Sequence, residues 1–233
     1  MKSARQESKG PVTPGLTDVA AGARVKPLLR GVSHELAVSA ALLGWVALFR
    51  AAQTRQAAAA ASVYGASLAA MFGLSALYHR PTWPPAQRRF LRRLDHAAIF
   101  LLIAGTYTPL CLALPQAHGV ALLGFVWTGA VFGMAQAVMY PDAPKYLVVP
   151  IYLGLGWAIF PLSSAVRAAV GTSGLALLAA GGIVYSVGAL IYWARRPDPF
   201  PRVFGYHEIF HLLVIAAAAC HYAVVLPVVR ALR

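Results

Sequence analysis

The sequence predicts an all-α membrane protein: a bundle of seven transmembrane helices, with the N-terminus cytoplasmic and the C-terminus outside. Three observations predict it. Apolar residues make up 59% of the 233 residues and charged ones only 12%, about half the ~25% usual in soluble domains. The apolar residues form continuous runs rather than alternating ones, which excludes a closed β-barrel. The Lys and Arg residues gather in every second connection between those runs.

A spanning helix needs about 20 mostly apolar residues to cross a hydrocarbon core ~30 Å thick. Residues 1–30 contain no such run. They hold Lys2, Arg5, Lys9, Arg24, Lys26 and Arg30 among Pro, Gly, Ser and Thr, which reads as a disordered basic arm rather than a signal peptide. Residues 31–233 form the membrane domain. Its first helix, the weakest of the seven, runs from Leu36 to about Ala52, with Ser33, His34 and Glu35 at its mouth. The second runs from Ala57 to His79 without a charge, and a basic, Pro-broken loop through Arg80–Arg93 follows. The third begins at Asp95 and continues to about Leu114. After the turn residues Pro115–Gly119, a fourth run reaches Tyr140. Pro141–Lys145 breaks the chain again. A fifth run covers Tyr146–Val166 and, past Arg167, a sixth covers about Gly174–Ala194. Arg195–Pro199 closes it, and the seventh occupies about Tyr206–Val229.

With the N-terminus inside, the arm and the inner loops carry six, five, one and three Lys or Arg residues. Fifteen of the 20 basic residues thus lie inside and five outside, a strong positive-inside signal. That distribution accounts for the excess of 20 Lys and Arg over 7 Asp and Glu. It points to anionic lipid headgroups at the cytoplasmic face as partners and argues against nucleic acid. Cys111 and Cys220 both lie inside apolar runs, and no disulfide framework is implied.

Ionisable groups at the edges of spans are expensive and default to function. His79 ends the second helix, Asp95 and His96 open the third, and His207, Glu208 and His211 open the seventh. The charge count puts all three helix ends at one level of one leaflet. His207 and His211 are four apart, so their imidazoles share a helix face. Ser75 and His79 have the same spacing, which sets a hydroxyl one turn deeper. Three imidazoles with an open position suit catalytic zinc, with its preference for nitrogen donors and tetrahedral geometry. Water on such a metal has its pKa lowered toward ~7. Asp95 or Glu208 can take the proton, and Ser75 can hold the water or a substrate carbonyl. Plainer readings compete. A lone histidine at a helix end is commonly an interfacial residue. Asp95 can pair with Arg92, Arg93 or its own helix N-terminus, and H-E-x-x-H alone recurs by chance. Convergence from three helices favours the metal. His34, His118 and His221 are read as ordinary interfacial, loop and interhelical residues. Gly129 and Gly133 fit a small-residue packing face.

Three stretches then carry a family resemblance: Ser75–His79, Leu94-Asp95-His96-Ala97-Ala98 through Gly105-Thr106-Tyr107-Thr108-Pro109, and His207–His211. In order and spacing they resemble the hemolysin III family, the bacterial branch of the group containing the adiponectin and progestin receptors. The chain is more distantly similar to the alkaline ceramidases. The resemblance implies a seven-helix protein of the bacterial plasma membrane with a cytoplasmic-side zinc ion on His79, His207 and His211. By the same resemblance Asp95 binds the zinc-bound water and Ser75 belongs to the S-xxx-H motif. Glu208, His96 and Tyr107 are then expected to stand behind the ligands.

Three functions follow as expectations. The foremost is an intramembrane zinc hydrolase of a lipid amide or ester, with membrane lipid as both solvent and substrate. A second is a receptor-like sensor in which zinc only ties helix ends together, with Asp95 as fourth ligand. The third is a cytolytic pore, as the family name suggests. A pore is expected to show polar stripes along several helices, and the fourth, fifth and sixth runs are nearly free of polar residues.

Overall fold

A computed structural model describes residues 26–232, and every described element is helical apart from one isolated bridge between Phe200 and Phe204. In chain order the helices are α1 (Val32–Ala51), α2 (Arg55–His79), α3 (Pro85–Leu112), α4 (Gln116–Met139), α5 (Lys145–Trp157), a 3-10 turn (Phe160–Leu162), α6 (Ser163–Ala194) and α7 (Tyr206–Ala231). Most of the expected basic arm, residues 1–25, lies outside the described residues.

Among the described residues, six stretches are long and apolar enough to cross a membrane, one of them the 50-residue stretch Lys145–Ala194. A straight helix of that length would measure about 75 Å, more than twice the hydrocarbon thickness. The chain folds back instead. Lys145 at the start of α5 lies 3.6 Å over the ring of Tyr192 near the end of α6, and Trp157 donates to Ser186 Oγ at 3.0 Å. These two contacts run the two halves antiparallel. The break falls at Gly171, whose φ of 75° and ψ of 173° interrupt α6, a conformation that needs a residue without Cβ. The sequence places the break at Arg167, since charge is the visible interruption there.

A second boundary also differs. The third helix begins at Pro85, ten residues before Asp95, so Arg88, Arg89, Arg92 and Arg93 ride its first turns and do not sit in a loop. Proline suits the first helical position, because its missing N–H would have been unpaired there. Nothing between Ala86 and Leu94 breaks a helix. Charge ends an apolar run without ending the helix that carries it.

Each helix around the site carries a buried stripe, and the second half of α3 is buried all round. On α2 it runs through Tyr64, Leu68, Met71 and Ser75; on α3 through Leu91, Ala98 and Leu102; on α7 through His207, His211, Val214 and Ala218. Spacings of three and four keep each stripe on one face. Outward faces are apolar as well: Leu36 and Leu43 on α1 and Phe125 and Phe132 on α4 are exposed, as a helix in lipid requires.

Close approach at glycine holds neighbouring helices together. Gly129 lies against Leu155 of α5, and a Cβ on Gly133 would press into the ring of Phe100 on α3. Phe100 is fully buried and cannot swing aside. Gly133→Ala is therefore expected to cost about 1–3 kcal/mol, measured as a lower thermal midpoint in detergent. A midpoint equal to wild type would show that this contact relaxes freely.

Candidate metal centre

The last turn of α2, the third turn of α3 and the first two turns of α7 meet at one end of the bundle. His79 comes from α2, and His207 and His211 come from α7. One ring nitrogen from each lies within 4.8 Å of the other two. His79 Nε2 and His207 Nε2 are 3.3 Å apart. Two nitrogens bound to one tetrahedral ion at about 2.0–2.1 Å would stand roughly 3.3–3.4 Å apart. These donors fit a metal ion, and the three histidines could hold one.

Among the described residues, Asp95 is the one carboxylate within 4 Å of the cluster. Its Oδ2 is 3.9 Å from His79 Nε2, beyond hydrogen-bond length but well inside the range of charge interaction. Arg92, a sequence candidate to neutralise it, bonds Asp142 and the Pro141 carbonyl. Ser75 is buried one turn below His79, with its Oγ 2.8 Å from His34 Nδ1.

Glu208 does not face the cluster. Its Oε2 accepts from the Gly205 N–H at 2.8 Å and its Oε1 from Arg30 at 2.5 Å. Glutamate at the third helical position reaching back to the cap is half of a capping box, a pattern visible in Gly205-Tyr206-His207-Glu208. His96 lines the cavity described below, and its carbonyl accepts from Tyr152 at 3.3 Å. Tyr107 stands three turns down α3 from Asp95, about 18 Å along the axis. Its hydroxyl accepts from the Ile159 N–H at 3.1 Å and donates to the Leu155 and Gly156 carbonyls, stapling α3 to the end of α5.

Sequence reasoning passed over His34. In the structure it is buried in the first turn of α1, its ring stacked on that of His211 with centroids 3.9 Å apart and planes 4° from parallel. A signal was present: His34 heads the buried stripe Ala37, Ala41, Leu48. Gly31 brings α1 this close. Its φ is 81°, and a Cβ there would lie 2.8 Å from His79 Cβ. The residues before it tie down the same end of the bundle: Leu28 and Leu29 donate to the carbonyls of Arg202 and Val203 at 3.0 and 3.1 Å, and Lys26 to that of Arg80 at 2.6 Å. Of the other histidines, His118 is exposed at the start of α4, and His221 is 3.4 Å from the Leu178 carbonyl.

Below the cluster lies a cavity of about 530 Å³ that runs past Met71, Ile103 and Val149 to Trp157 and His221. Its size falls within the usual range for ligand sites. Arg30, Arg92 and Lys145 line it along with the histidines and Asp95. A polar head of donors and cations thus sits above a largely apolar shaft, an arrangement suited to an amphiphile.

Comparison with known proteins agrees with the motifs. The family described as Haemolysin-III related matches residues 23–222. The chain is 35% identical to Hemolysin-3 of Bacillus cereus over 175 residues, 74% of this chain and 76% of that protein. It is 32% identical to the Hemolysin-3 homolog of Bacillus subtilis (strain 168), over 71% of this chain and 75% of that one. It is 29% identical to the monocyte to macrophage differentiation factor of Homo sapiens, over 82% of this chain and 79% of that one. Together with the six apolar helical stretches, these relatives identify an integral membrane protein of the bacterial plasma membrane.

Proposed function

This chain belongs to the Haemolysin-III related family, and from that premise we propose that it is a zinc-dependent hydrolase of a lipid amide or ester. The single observation that carries the proposal is the convergence of His79, His207 and His211 above an apolar shaft, with Asp95 beside them. In this reading the chain crosses the membrane seven times, Lys145–Ala194 counting as two crossings, with the N-terminus and the metal centre on the cytoplasmic side. The excess of basic residues in the inner connections supports that orientation, and anionic headgroups hold the basic face.

Three neutral imidazoles suit zinc better than the oxygen-seeking divalent ions. When bound, zinc supplies a Lewis acid for a carbonyl and makes water a competent nucleophile near neutral pH. The chain supplies the rest. Asp95 takes a proton from the attacking water and returns it to the leaving group. Ser75 fixes the position of a reacting group one turn below His79. The shaft takes an acyl chain and keeps bulk water from the reaction. Arg30, Arg92 and Lys145 sit where a polar headgroup would rest.

One observation favours a second reading. Asp95 lies close enough to the cluster to close it as a fourth ligand, which would make the zinc a structural tie in a sensor. Purification in mild detergent, metal analysis and incubation with a ceramide and a matched ester separate the two. A hydrolase carries about one zinc per chain and releases fatty acid; chelation abolishes release and zinc restores it. Bound zinc with no release from amide or ester supports the structural tie. Absence of zinc under conditions that retain bound metal would sink both readings.

A further inference from the structure

We propose that the amphiphile this cavity takes carries a phosphate on its polar end, and that Arg88 and Lys145 recognise it. The inference deepens the hydrolase reading and rests on it only for calling that lipid a substrate. The cavity sets the order of the parts. On α3 its wall runs from Asp95 to Tyr107, about 18 Å along the axis. That is over half of a hydrocarbon core ~30 Å thick, the depth of one acyl chain in one leaflet. With the chain in the shaft and its carbonyl at the histidines, the polar end lies at the mouth. Arg88 stands there, about 10 Å before Asp95 on α3, and Lys145 opens α5 just ahead of the shaft residues Val148 and Val149.

Charge at the mouth is one-sided. Among the described residues, Arg30, Arg88, Arg92 and Lys145 line the cavity against the single carboxylate of Asp95. Arg30 and Arg92 bring their own acids, Glu208 and Asp142, neither of which lines it. Arg88 and Lys145 have no carboxylate partner among the described residues. Lys145 is also held in place: half-buried, it donates to the Tyr192 carbonyl at 3.3 Å and lies over that residue's ring. A fixed, partly buried ammonium without an anion is costly, and apolar walls focus its field at the mouth. Membrane orientation explains basic residues on this face but not their direction. Arg89 and Arg93 belong to the same turns of α3 and stay out of the cavity, whereas Arg88 and Arg92 line it. A phosphate monoester brings about 1.5 to 2 negative charges and three acceptor oxygens, enough for a guanidinium fork and an ammonium at once. A neutral headgroup leaves both cations without an anion. Hydrolysis of such a lipid breaks the acyl C–N or C–O bond with one water, and releases a fatty acid and a phosphate-bearing amine or alcohol.

The test measures equilibrium binding to the full-length protein in a phosphate-free maltoside detergent. The probes are 1-oleoylglycerol, its 3-phosphate and inorganic phosphate. The 3-phosphate should bind about 10-fold or more tighter than the neutral ester, the worth of one hydrogen bond to a charged group. Inorganic phosphate should compete only weakly, because it brings no chain for the shaft. Arg88→Gln and Lys145→Gln should each cost the 3-phosphate about 10-fold, and Lys145→Arg should keep most of its affinity. Arg89→Gln, off the cavity, should change nothing. Equal binding of the two esters overturns the proposal. So does a loss in Arg89→Gln as large as in Arg88→Gln, which would mean a general attraction of the basic face. Inorganic phosphate competing as well as the lipid assigns the cations to a free anion and overturns the lipid. If Lys145→Gln does not fold, Arg88→Gln, at an exposed position, decides against Arg89→Gln. Release of oleate is scored separately. Release from the neutral ester alone overturns this inference and leaves the hydrolase. Phosphate-selective binding with no release from these esters or from ceramide removes the hydrolase and leaves the recognition site.

Discussion

His207→Ala is expected to leave the purified protein without bound zinc, whereas Asp95→Ala keeps it and loses turnover. The first half follows from donor count. His207 supplies one of only three nitrogens in the cluster, and its Nε2 stands 3.3 Å from that of His79. Two nitrogens and water do not make a strong zinc site. Affinity should fall by more than the roughly 100-fold that marks the upper end for residues merely behind ligands. The second half follows from distance. Asp95 Oδ2 lies 3.9 Å from His79 Nε2, beyond hydrogen-bond length, and in the hydrolase reading it serves the attacking water rather than the metal. Its removal should therefore cost rate, about 10²- to 10⁴-fold for a lost proton acceptor, and spare the metal. Metal analysis of the two variants beside wild type decides. Zinc lost equally from both would mean that the carboxylate is itself a ligand and the centre is closed.

The second large effect lies in the fold rather than the chemistry. Arg30→Ala should destabilise the protein by about 3 kcal/mol, toward the lower end for breaking a buried ion pair because Arg30 is partly open to solvent. The Glu208 side chain is 4% exposed, and among the described residues its only partner apart from Arg30 is the Gly205 N–H. Without the guanidinium, a carboxylate remains buried at the start of the helix that carries two of the three histidines. Glu208→Gln removes the charge and keeps an acceptor for Gly205, so it should cost less. Combining the two should recover part of the loss, because the stranded charge is gone. Thermal unfolding of the two single variants and the double variant in detergent gives the coupling directly. If Arg30→Ala melts with wild type, the pair contributes nothing to stability.

The spans were legible because lipid leaves the chain little choice: a run of apolar residues long enough to cross must be helical. The boundaries were less so. Charge marks where an apolar run ends, and α3 extends past that point as a helix, so Pro85 was invisible behind Arg88–Arg93. The break at Gly171 is a single backbone conformation inside a helix whose one charged residue is Arg167. The three histidines were legible because four-residue spacing and a shared leaflet are one-dimensional signals. The distinction between Asp95 and Glu208 was not. Both are acids at helix starts, but Glu208 bends back to cap its own helix and pair with Arg30. His34 was the larger omission. Its partners lie 41 and 177 residues away, and no local spacing announces them.

That last separation bears on how the protein is made. Synthesis at about 5–20 residues per second puts roughly 10–35 s between the emergence of His34 and that of His211. Throughout that interval α1 sits in the bilayer with one ring nitrogen and one aromatic face waiting for α7, and the ribosome has yet to deliver two of the three imidazoles. On the proposed reading, a nascent or truncated chain lacks two of the three donors, so zinc would load onto the finished bundle, and a tightly held ion would double as a certificate that the first and last helices have met.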